Sequence, residues 1–273
     1  MDARRHLLVQ RRGWDRASTY YARYWQRQLL PAQRLLIDKA ELGRGDRVLD
    51  VACGSGEMTT AVAAAVSPGG WVVATDLAPK MVSATEARTI SAGADNIEVA
   101  CCDAEQLTVD GPFDVALCSL GLMYVPHPAV AIAELRRVLR PGGRVAVSVW
   151  GDRGRCGWAS VFGIIDARVT SDVCPHFFAL GAPGILTGLL RDAGFVDEGE
   201  ARLSVALDYR DDDEALGAAF LGGPVALAFG RFDTETRDQV ADEYLASIEH
   251  FRTDHGGYAV PGEFVVASAR NPD

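Results

Sequence analysis

No stretch of this chain is long and apolar enough to span a bilayer, and no CxxC pair or Cys/His ligand spacing occurs along it. A membrane-spanning helix and a structural metal site are therefore not expected. The N-terminal MDARRHLLVQRRGWDR is basic but lacks the apolar run of an export signal. The six cysteines, Cys53, Cys101, Cys102, Cys118, Cys156 and Cys174, sit mostly in apolar runs and read as reduced, packed thiols of a cytoplasmic protein. An excess of positive charge is missing as well. The net charge of −10 argues against a polyanionic partner, because nucleic-acid affinity comes largely from neutralised phosphates. The first 35 residues are a local exception, with Arg4, Arg5, Arg11, Arg12, Arg16, Arg23, Arg27 and Arg34. Trp14, Tyr20, Tyr21, Tyr24 and Trp25 alternate with them, so the segment reads as an amphipathic helix with a solvated basic face. An arm facing an anionic ligand or RNA is the sharper alternative.

What is present is the rhythm of a doubly wound α/β sheet. At 273 residues and 48% hydrophobic, the chain can bury about three quarters of its unfolded surface. Strands are expected at Arg47–Ala52, Trp71–Thr75, Ile97–Cys101, Phe113–Cys118 and Arg144–Val149, with helices at Glu57–Val66, Pro79–Ala92 and Pro128–Leu139 between them. Pro141-Gly142-Gly143 is expected to stop the third helix and turn the chain into the next strand. After Trp150 the pattern predicts helices over Trp158–Thr170, Pro183–Ala193, Asp211–Gly222 and Thr234–Thr253. Ser171–Gly181 reads as irregular, Phe195–Tyr209 as a long strand and Phe264–Ala267 as a last one. No repeat, low-complexity tract or linker divides the chain. Residues 1–45 are read as a helical lid on one domain, 46–273, whose own lid insertions lie at about 151–182 and 210–256.

The segment Val48–Gly56, VLDVACGSG, leads an apolar strand into a small-residue turn and then a helix. Gly54 and Gly56 remove side chains where backbone must turn and a ligand must come close. Three acids fall at the ends of successive strands, where ligands of open α/β sheets bind. Asp50 lies in the first strand. Asp76 ends the second, where a carboxylate can accept from both hydroxyls of a ribose, and Asp103 follows the third, suited to an adenine amino group. Any one of them alone suits a helix cap or a turn. Together they point to a nucleotide-type cofactor. The dinucleotide fingerprint G-x-G-x-x-G is absent: Ala52 stands first, nothing small follows at Thr59, and Glu57 lies where a pyrophosphate would approach.

VLDVACGSG, ATDLAPKMV, CCDAEQL, FDVALCSLGLMYVPHP and ELRRVLRPGGRVAVSVW together resemble the class I S-adenosylmethionine-dependent methyltransferases, in the branch similar to those of ubiquinone and menaquinone biosynthesis. The resemblance is close over Gly45–Trp150. It implies a seven-stranded, mostly parallel sheet with an antiparallel last strand. It also implies that Asp50 and the Ala52, Cys53, Gly54 and Gly56 backbone meet the methionine end of S-adenosylmethionine, and that Asp76 holds the ribose. Leu77 and Met81 would pack on the adenine, Asp103 and Ala104 would bind its edge, and Ser119 and Leu120 would lie near the sulfonium. Tyr21 matches a tyrosine that closes over the cofactor, with Tyr20 a close rival. Ala52 stands where the family usually has its first glycine, Cys53 fills a variable position, and Cys102 replaces a glycine often found before the Asp-Ala pair. Alanine still leaves room for the ligand.

Methyl transfer asks mainly that the acceptor be held near the methyl group in a water-poor site. An oxygen or nitrogen acceptor can also need a general base. His127, just after the fourth strand, and His176, in the aromatic insertion, are the candidates; a helix-terminal surface residue and a packing residue are the plainer readings. Tyr20, Tyr24, Trp25, Tyr124, Trp150, Phe177 and Phe178, with Trp158 and Phe162, are read as an aromatic vestibule that binds the substrate. Phe220–Phe229 is read as a lid wall or a subunit contact, which leaves a homodimer open. The Asn/Asp-Pro-Pro-aromatic element similar to that of base-amine methylating enzymes is absent, Ser119-Leu120-Gly121-Leu122 standing in its place, and no Pro-Cys nucleophile occurs. The expectation is a methyltransferase of secondary metabolism acting on a small, partly apolar acceptor, aromatic or polyketide- or quinone-like, with O-methylation ahead of C- and N-methylation. A cofactor-binding protein with a non-methylating reaction stays open.

Overall fold

A computed structural model describes residues 3–169 and 177–273, so Cys174 and His176 lie outside the described residues. The chain begins with one long helix, α1 (Ala3–Ala40), and then alternates. The order is β1 (Arg47–Val51), α2 (Glu57–Val66), β2 (Trp71–Asp76), α3 (Pro79–Ala92), β3 (Ile97–Cys101), β4 (Phe113–Ser119), α4 (Pro128–Val138) and β5 (Leu139–Trp150). After β5 come α5 (Ser160–Asp166), α6 (Ile185–Asp192), β6 (Val196–Tyr209), α7 (Asp212–Phe220), α8 (Ala226–Phe229), α9 (Thr234–Ile248) and β7 (Tyr258–Arg270).

The seven strands form one sheet in the order β3-β2-β1-β4-β5-β7-β6. Every pairing among β1 to β5 is parallel, while β7 runs antiparallel to both β5 and β6. Winding proceeds one way from β1 to β3 and the other way from β4, so the strand order reverses between the carboxyl ends of β1 and β4. That gap is where an open α/β sheet binds its ligand. Alternate residues of the central strands feed two cores. Val48, Val115, Leu117 and Ala146 join Leu36 and Ala40 of α1 and Met58 and Val62 of α2 on one face. Leu49, Val51, Ala116, Cys118 and Val145 face the other. A parallel sheet covered on both sides needs such uninterrupted apolar strands.

At 38 residues, α1 is roughly 57 Å long. In its second half Trp25, Leu29, Ala32, Leu36 and Ala40 are buried, and their steps of four and three residues form one stripe. All eight arginines of its basic face are exposed, as a solvated face requires. Gln28 fastens the helix to the sheet edge, its side-chain oxygen accepting from Asp208 N at 3.0 Å and its nitrogen donating to Asp208 O at 2.5 Å. No described helix is long and apolar enough to cross a membrane.

Several boundaries differ from expectation. The last strand spans Tyr258–Arg270 rather than Phe264–Ala267, because its first half pairs with β6 alone. Pro261 is tolerated there, since β5 starts pairing only at Phe264 and makes no demand on the missing N–H. The chain is already extended from Leu139, which pairs with Phe113, so Pro141-Gly142-Gly143 lies within β5 rather than before it. The helix expected at Trp158–Thr170 is a 3-10 turn, Gly157–Ala159, followed by the short α5, and the one expected at Thr234–Thr253 ends at Ile248 before a 3-10 turn. The short α8 was not anticipated. Buried Glu263 of β7 ties down the segment after β5, accepting from Asp152 N at 3.0 Å and pairing with Arg202 at 2.8 Å and Arg155 at 3.4 Å.

Candidate active site

The turn after β1 is held by its neighbours. Cys53 N donates to Thr75 O at 3.0 Å, and Gly56 N donates to Cys53 O at 3.1 Å. From α3, the Thr85 hydroxyl donates to Gly54 O at 2.8 Å. Gly54 and Gly56 have φ of 59° and 81°, in the left-handed region. A Cβ on Gly56 would come within 2.9 Å of the Thr85 methyl, so this glycine allows α3 to approach. Ala52 adopts φ 59° without being glycine, a strain of order 1–3 kcal/mol that persists only where surroundings impose it. Its methyl lies against Gly121, where an added Cβ would sit 2.4 Å from Ala52 Cβ. Leu120 is left-handed as well, at φ 55°. Ala52 and Leu120, two of the four non-glycine residues with positive φ among the described residues, thus flank the gap between β1 and β4.

Two carboxylates are buried at this turn. Asp50 is fully buried; one oxygen accepts from the Thr59 hydroxyl at 2.7 Å and the other has no partner. Burial pushes its pKa up to about 7, against the Thr59 hydrogen bond. Asp76 accepts from Ala78 N at 2.9 Å on one oxygen and from Gly54 N at 3.0 Å on the other. Burial raises it to about 6, opposed by those backbone bonds. Each Asp76 oxygen has spent one of its two acceptor sites, and two remain for a vicinal diol. Asp103 accepts from Glu105 N at 2.9 Å. Burial raises the Cys53 thiol and takes that of Cys118 to about 12, so both stay protonated and inert.

Between these residues and α1 lies a cleft of about 680 Å³. Its floor includes Ala52, Gly54, Ser119, Leu120 and Gly121, and one end has Asp76, Leu77, Met81, Asp103 and Ala104. Leu7, Gln10, Trp14 and Tyr21 of α1 line it as well. The residues expected to hold S-adenosylmethionine are thereby largely brought together. Asp50, Cys53 and Gly56 are not on the wall: they build the turn from behind. Glu57 is turned aside too, paired with Arg88 and accepting from the Ser55 hydroxyl at 2.7 Å. The donor set suits a nucleoside: free acceptor sites on Asp76, a carboxylate at Asp103, apolar Leu77 and Met81 beside them, and an orphaned oxygen on Asp50 behind the turn.

A second cavity of about 320 Å³ adjoins the first and shares Trp14, Tyr21, Leu120 and Tyr124 with it. Trp25, Trp150, Trp158 and Phe177 complete its rings, and Gly222, Gly223 and Pro224 close it. The three indoles of Trp25, Trp150 and Trp158 lie 4.7–5.8 Å apart between centroids. Tyr124 stands edge-on to Trp14 at 4.9 Å and to Phe177 at 5.5 Å. Tyr20 and Tyr24 line neither cavity: they stack on one another at 6.4 Å, with Tyr24 seated over Gly217. Phe178 packs against Phe177 at 4.8 Å, outside the chamber lining. Within the Phe220–Phe229 segment, Gly222, Gly223 and Pro224 line the second cavity.

His127 is not brought to either cavity. Its exposed ring lies 3.1 Å from Glu105, whose carboxylate also accepts from the His127 backbone N. No described side chain lining the chamber is His, Asp, Glu, Lys or Arg, and the described residues hold no cluster of metal-ligating groups. Sequence reasoning missed Leu7, Gln10 and Gly121, and took Trp14 only as part of an amphipathic face. The signal for three of them was the spacing 7, 10, 14, 21, one side of a helix. It also missed buried His6, whose Nε2 lies 3.0 Å from Tyr124 O and joins the start of α1 to the chamber wall.

A methyltransferase-domain family model matches residues 48–143. An uncharacterized protein of Mycobacterium tuberculosis is 34% identical over 174 residues, 63% of this chain and 62% of the relative, so the match spans less than two thirds of that protein's length. Nocamycin O-methyltransferase of Saccharothrix syringae is 31% identical over 238 residues, 80% of this chain and 83% of the relative. Among solved structures, phosphoethanolamine N-methyltransferase 2 of Haemonchus contortus, in complex with S-adenosyl-L-methionine, has a TM-score of 0.61 at 15% identity, covering 95% of this chain and 57% of that one. That last likeness concerns the fold alone. With the reversal-point cleft, its paired acids and a relative aligned over most of both chains, the chain belongs to the class I S-adenosylmethionine-dependent methyltransferases.

Proposed function

We propose that this chain transfers the methyl group of S-adenosylmethionine to an oxygen of a small, planar, partly apolar metabolite of aromatic, polyketide or quinone type. The observation that carries this reading is the adjacency of two cavities, one lined by carboxylates and one by rings, sharing Trp14, Tyr21, Leu120 and Tyr124. When bound, S-adenosylmethionine supplies a methyl group already activated by a sulfonium. Asp76 accepts from the ribose hydroxyls, Asp103 and Ala104 bind the adenine edge, and Leu77 and Met81 pack on its faces. Ala52 and Gly54 approach the methionine end by backbone, and Ser119 and Leu120 lie near the sulfonium, Leu120 bordering the second cavity as well. Residues 1–45 act as a lid with the 151–182 and 210–256 insertions, and Trp14 and Tyr21 exclude water from the junction. The rings that line most of the chamber hold a flat acceptor by burial and stacking, leaving proximity and desolvation as the main sources of rate.

The described chamber walls carry no His, Asp, Glu or Lys side chain to serve as a general base. The acceptor oxygen is therefore one that ionises readily, such as an acidic phenol or enol, and the name of the Saccharothrix relative supports oxygen as the accepting atom. His176 remains the base the sequence suggests; a pH–rate profile of His176→Ala that matches wild type removes it. Free thiols suit a cytoplasmic setting, and the net charge of −10 suits a small-molecule rather than a nucleic-acid acceptor.

The test is calorimetric titration with S-adenosylhomocysteine, followed by incubation with S-adenosylmethionine and a panel of phenols, hydroxyquinones and enolic polyketides. An O-methylated product is expected from at least one class. No cofactor binding at high micromolar concentration overturns the reading. Binding without any S-adenosylhomocysteine formed across the panel points instead to a non-methylating reaction, and a C- or N-methylated product corrects the accepting atom.

A further inference from the structure

The arginines of α1 fall into a register. Arg5, Arg12, Arg16, Arg23, Arg27 and Arg34 follow one another in alternating steps of seven and four residues. At about 100° per residue these steps keep all six within roughly 60° of helix surface, along a line of roughly 43 Å. All six are exposed, and the line lies away from the buried stripe of Trp25, Leu29, Ala32, Leu36 and Ala40. Most arginines beyond α1 hold a carboxylate, as Arg137, Arg168 and Arg252 do. On this line only Arg27 has one among the described residues, Glu214 at 3.5 Å, while Arg16 rests against Gly230. Asp15 lies off the line and accepts from Lys80 N at 3.0 Å. Like charges one turn apart, here Arg12 with Arg16 and Arg23 with Arg27, weaken a helix, and a face that needs only solvation mixes both signs. An uncompensated line of positive charge on a chain of net charge −10 marks a surface for an anionic partner.

Leu8, Tyr20 and Leu30, on or beside the line, are exposed as well. Nucleic-acid phosphates reward no such apolar side chains, whereas the headgroup layer of a bilayer takes them in. A bilayer also presents a plane, which a straight line of charge meets along its whole length. We propose that this face of α1 docks on an anionic lipid bilayer, the arginines meeting headgroup phosphates and Leu8, Tyr20 and Leu30 entering the headgroup layer. The helix lies along the surface, being too polar to cross it. Docking here is independent of which acceptor is methylated, and it places beside the lipid the helix whose other side lines both cavities.

The test is co-sedimentation of the full chain with vesicles of phosphatidylcholine alone and of phosphatidylcholine mixed with phosphatidylglycerol. Wild type is expected to sediment with the anionic vesicles only and to be released by high salt, a comparison that needs no variant. Each arginine near such a surface adds about fivefold to partitioning, so Arg5→Gln, Arg12→Gln and Arg34→Gln combined should lower it about a hundredfold with the far-UV circular dichroism unaltered. Leu8→Ser with Leu30→Ser should lower it too, at constant charge; unchanged partitioning in that pair overturns the entry of the apolar side chains. Sedimentation with both vesicle types alike, with neither, or undiminished in the arginine variant overturns the docking face. Arginine-dependent retention of duplex RNA by a protein that ignores both vesicles assigns the face to nucleic acid and overturns the bilayer.

Discussion

At the scale of single residues, Asp76 and Asp50 carry the sharpest expectations. If Asp76 holds the ribose as proposed, replacing it by Ala should remove charge-assisted hydrogen bonds worth roughly 1.5–3 kcal/mol, or about 10- to 150-fold in cofactor affinity. An unchanged dissociation constant for S-adenosylhomocysteine would take Asp76 out of the site. The same acids predict a pH dependence. Burial raises Asp50 to about 7 and Asp76 to about 6, so part of the ligand-free population holds a proton there near neutrality. S-adenosylmethionine carries an extra positive charge over S-adenosylhomocysteine and favours the ionised acids. Its binding should release protons between about pH 6 and 7 and strengthen as pH rises through that window. Calorimetry in buffers of differing ionisation heat reads this directly, and equal proton release by both ligands would sink it. The three acids were legible in the sequence because strand ends are legible. The role of Gly121 was not: it is set by a methyl sixty-nine residues away in the chain, at Ala52, and no local pattern encodes such a meeting.

At the scale of elements, α1 does two jobs that substitutions can separate. Leu36 is fully buried among Val48, Met58 and Val62, so Leu36→Ala should cost about 2–5 kcal/mol of stability in chemical denaturation while leaving ligand affinity nearly intact. Trp14 lines both cavities, and Trp14→Ala should reverse that pattern, weakening cofactor and acceptor with a smaller loss of stability. If both variants behave alike, the helix has no such division. Strands β1 to β4 and helices α2 to α4 were readable within a residue or so, since uninterrupted apolar runs and Pro or Gly punctuation mark them, whereas the start of β5 was placed five residues late. Tyr20 and Tyr24 were misplaced for a helical reason. The helix turns about 100° per residue, so each points well away from its neighbours Tyr21 and Trp25, which face the cavities, and composition alone does not show which tyrosines face in. The early part of β7 was missed because Pro261 and Gly262 look like loop until the edge strand β6 supplies a partner.

For the whole molecule, the cleft lies between the sheet's reversal point and α1, so a ligand bound there should tie the first helix to the sheet. S-adenosylhomocysteine at a hundred times its dissociation constant should add about 2.7 kcal/mol, a rise of roughly 5 °C in melting temperature for a chain of this size. Slower proteolysis within the first half of α1 should accompany it. A melting temperature that rises with no protection of that segment would mean that the helix does not sense the ligand. The Ala52–Gly121 contact also bears on descent. With 2.4 Å between Ala52 Cβ and any Cβ placed at 121, side chains at both positions are incompatible. A lineage that moved from glycine to alanine at 52 needed glycine at 121 beforehand, and a descendant can gain a side chain at 121 only after 52 has reverted. The two sites have to change in a set order.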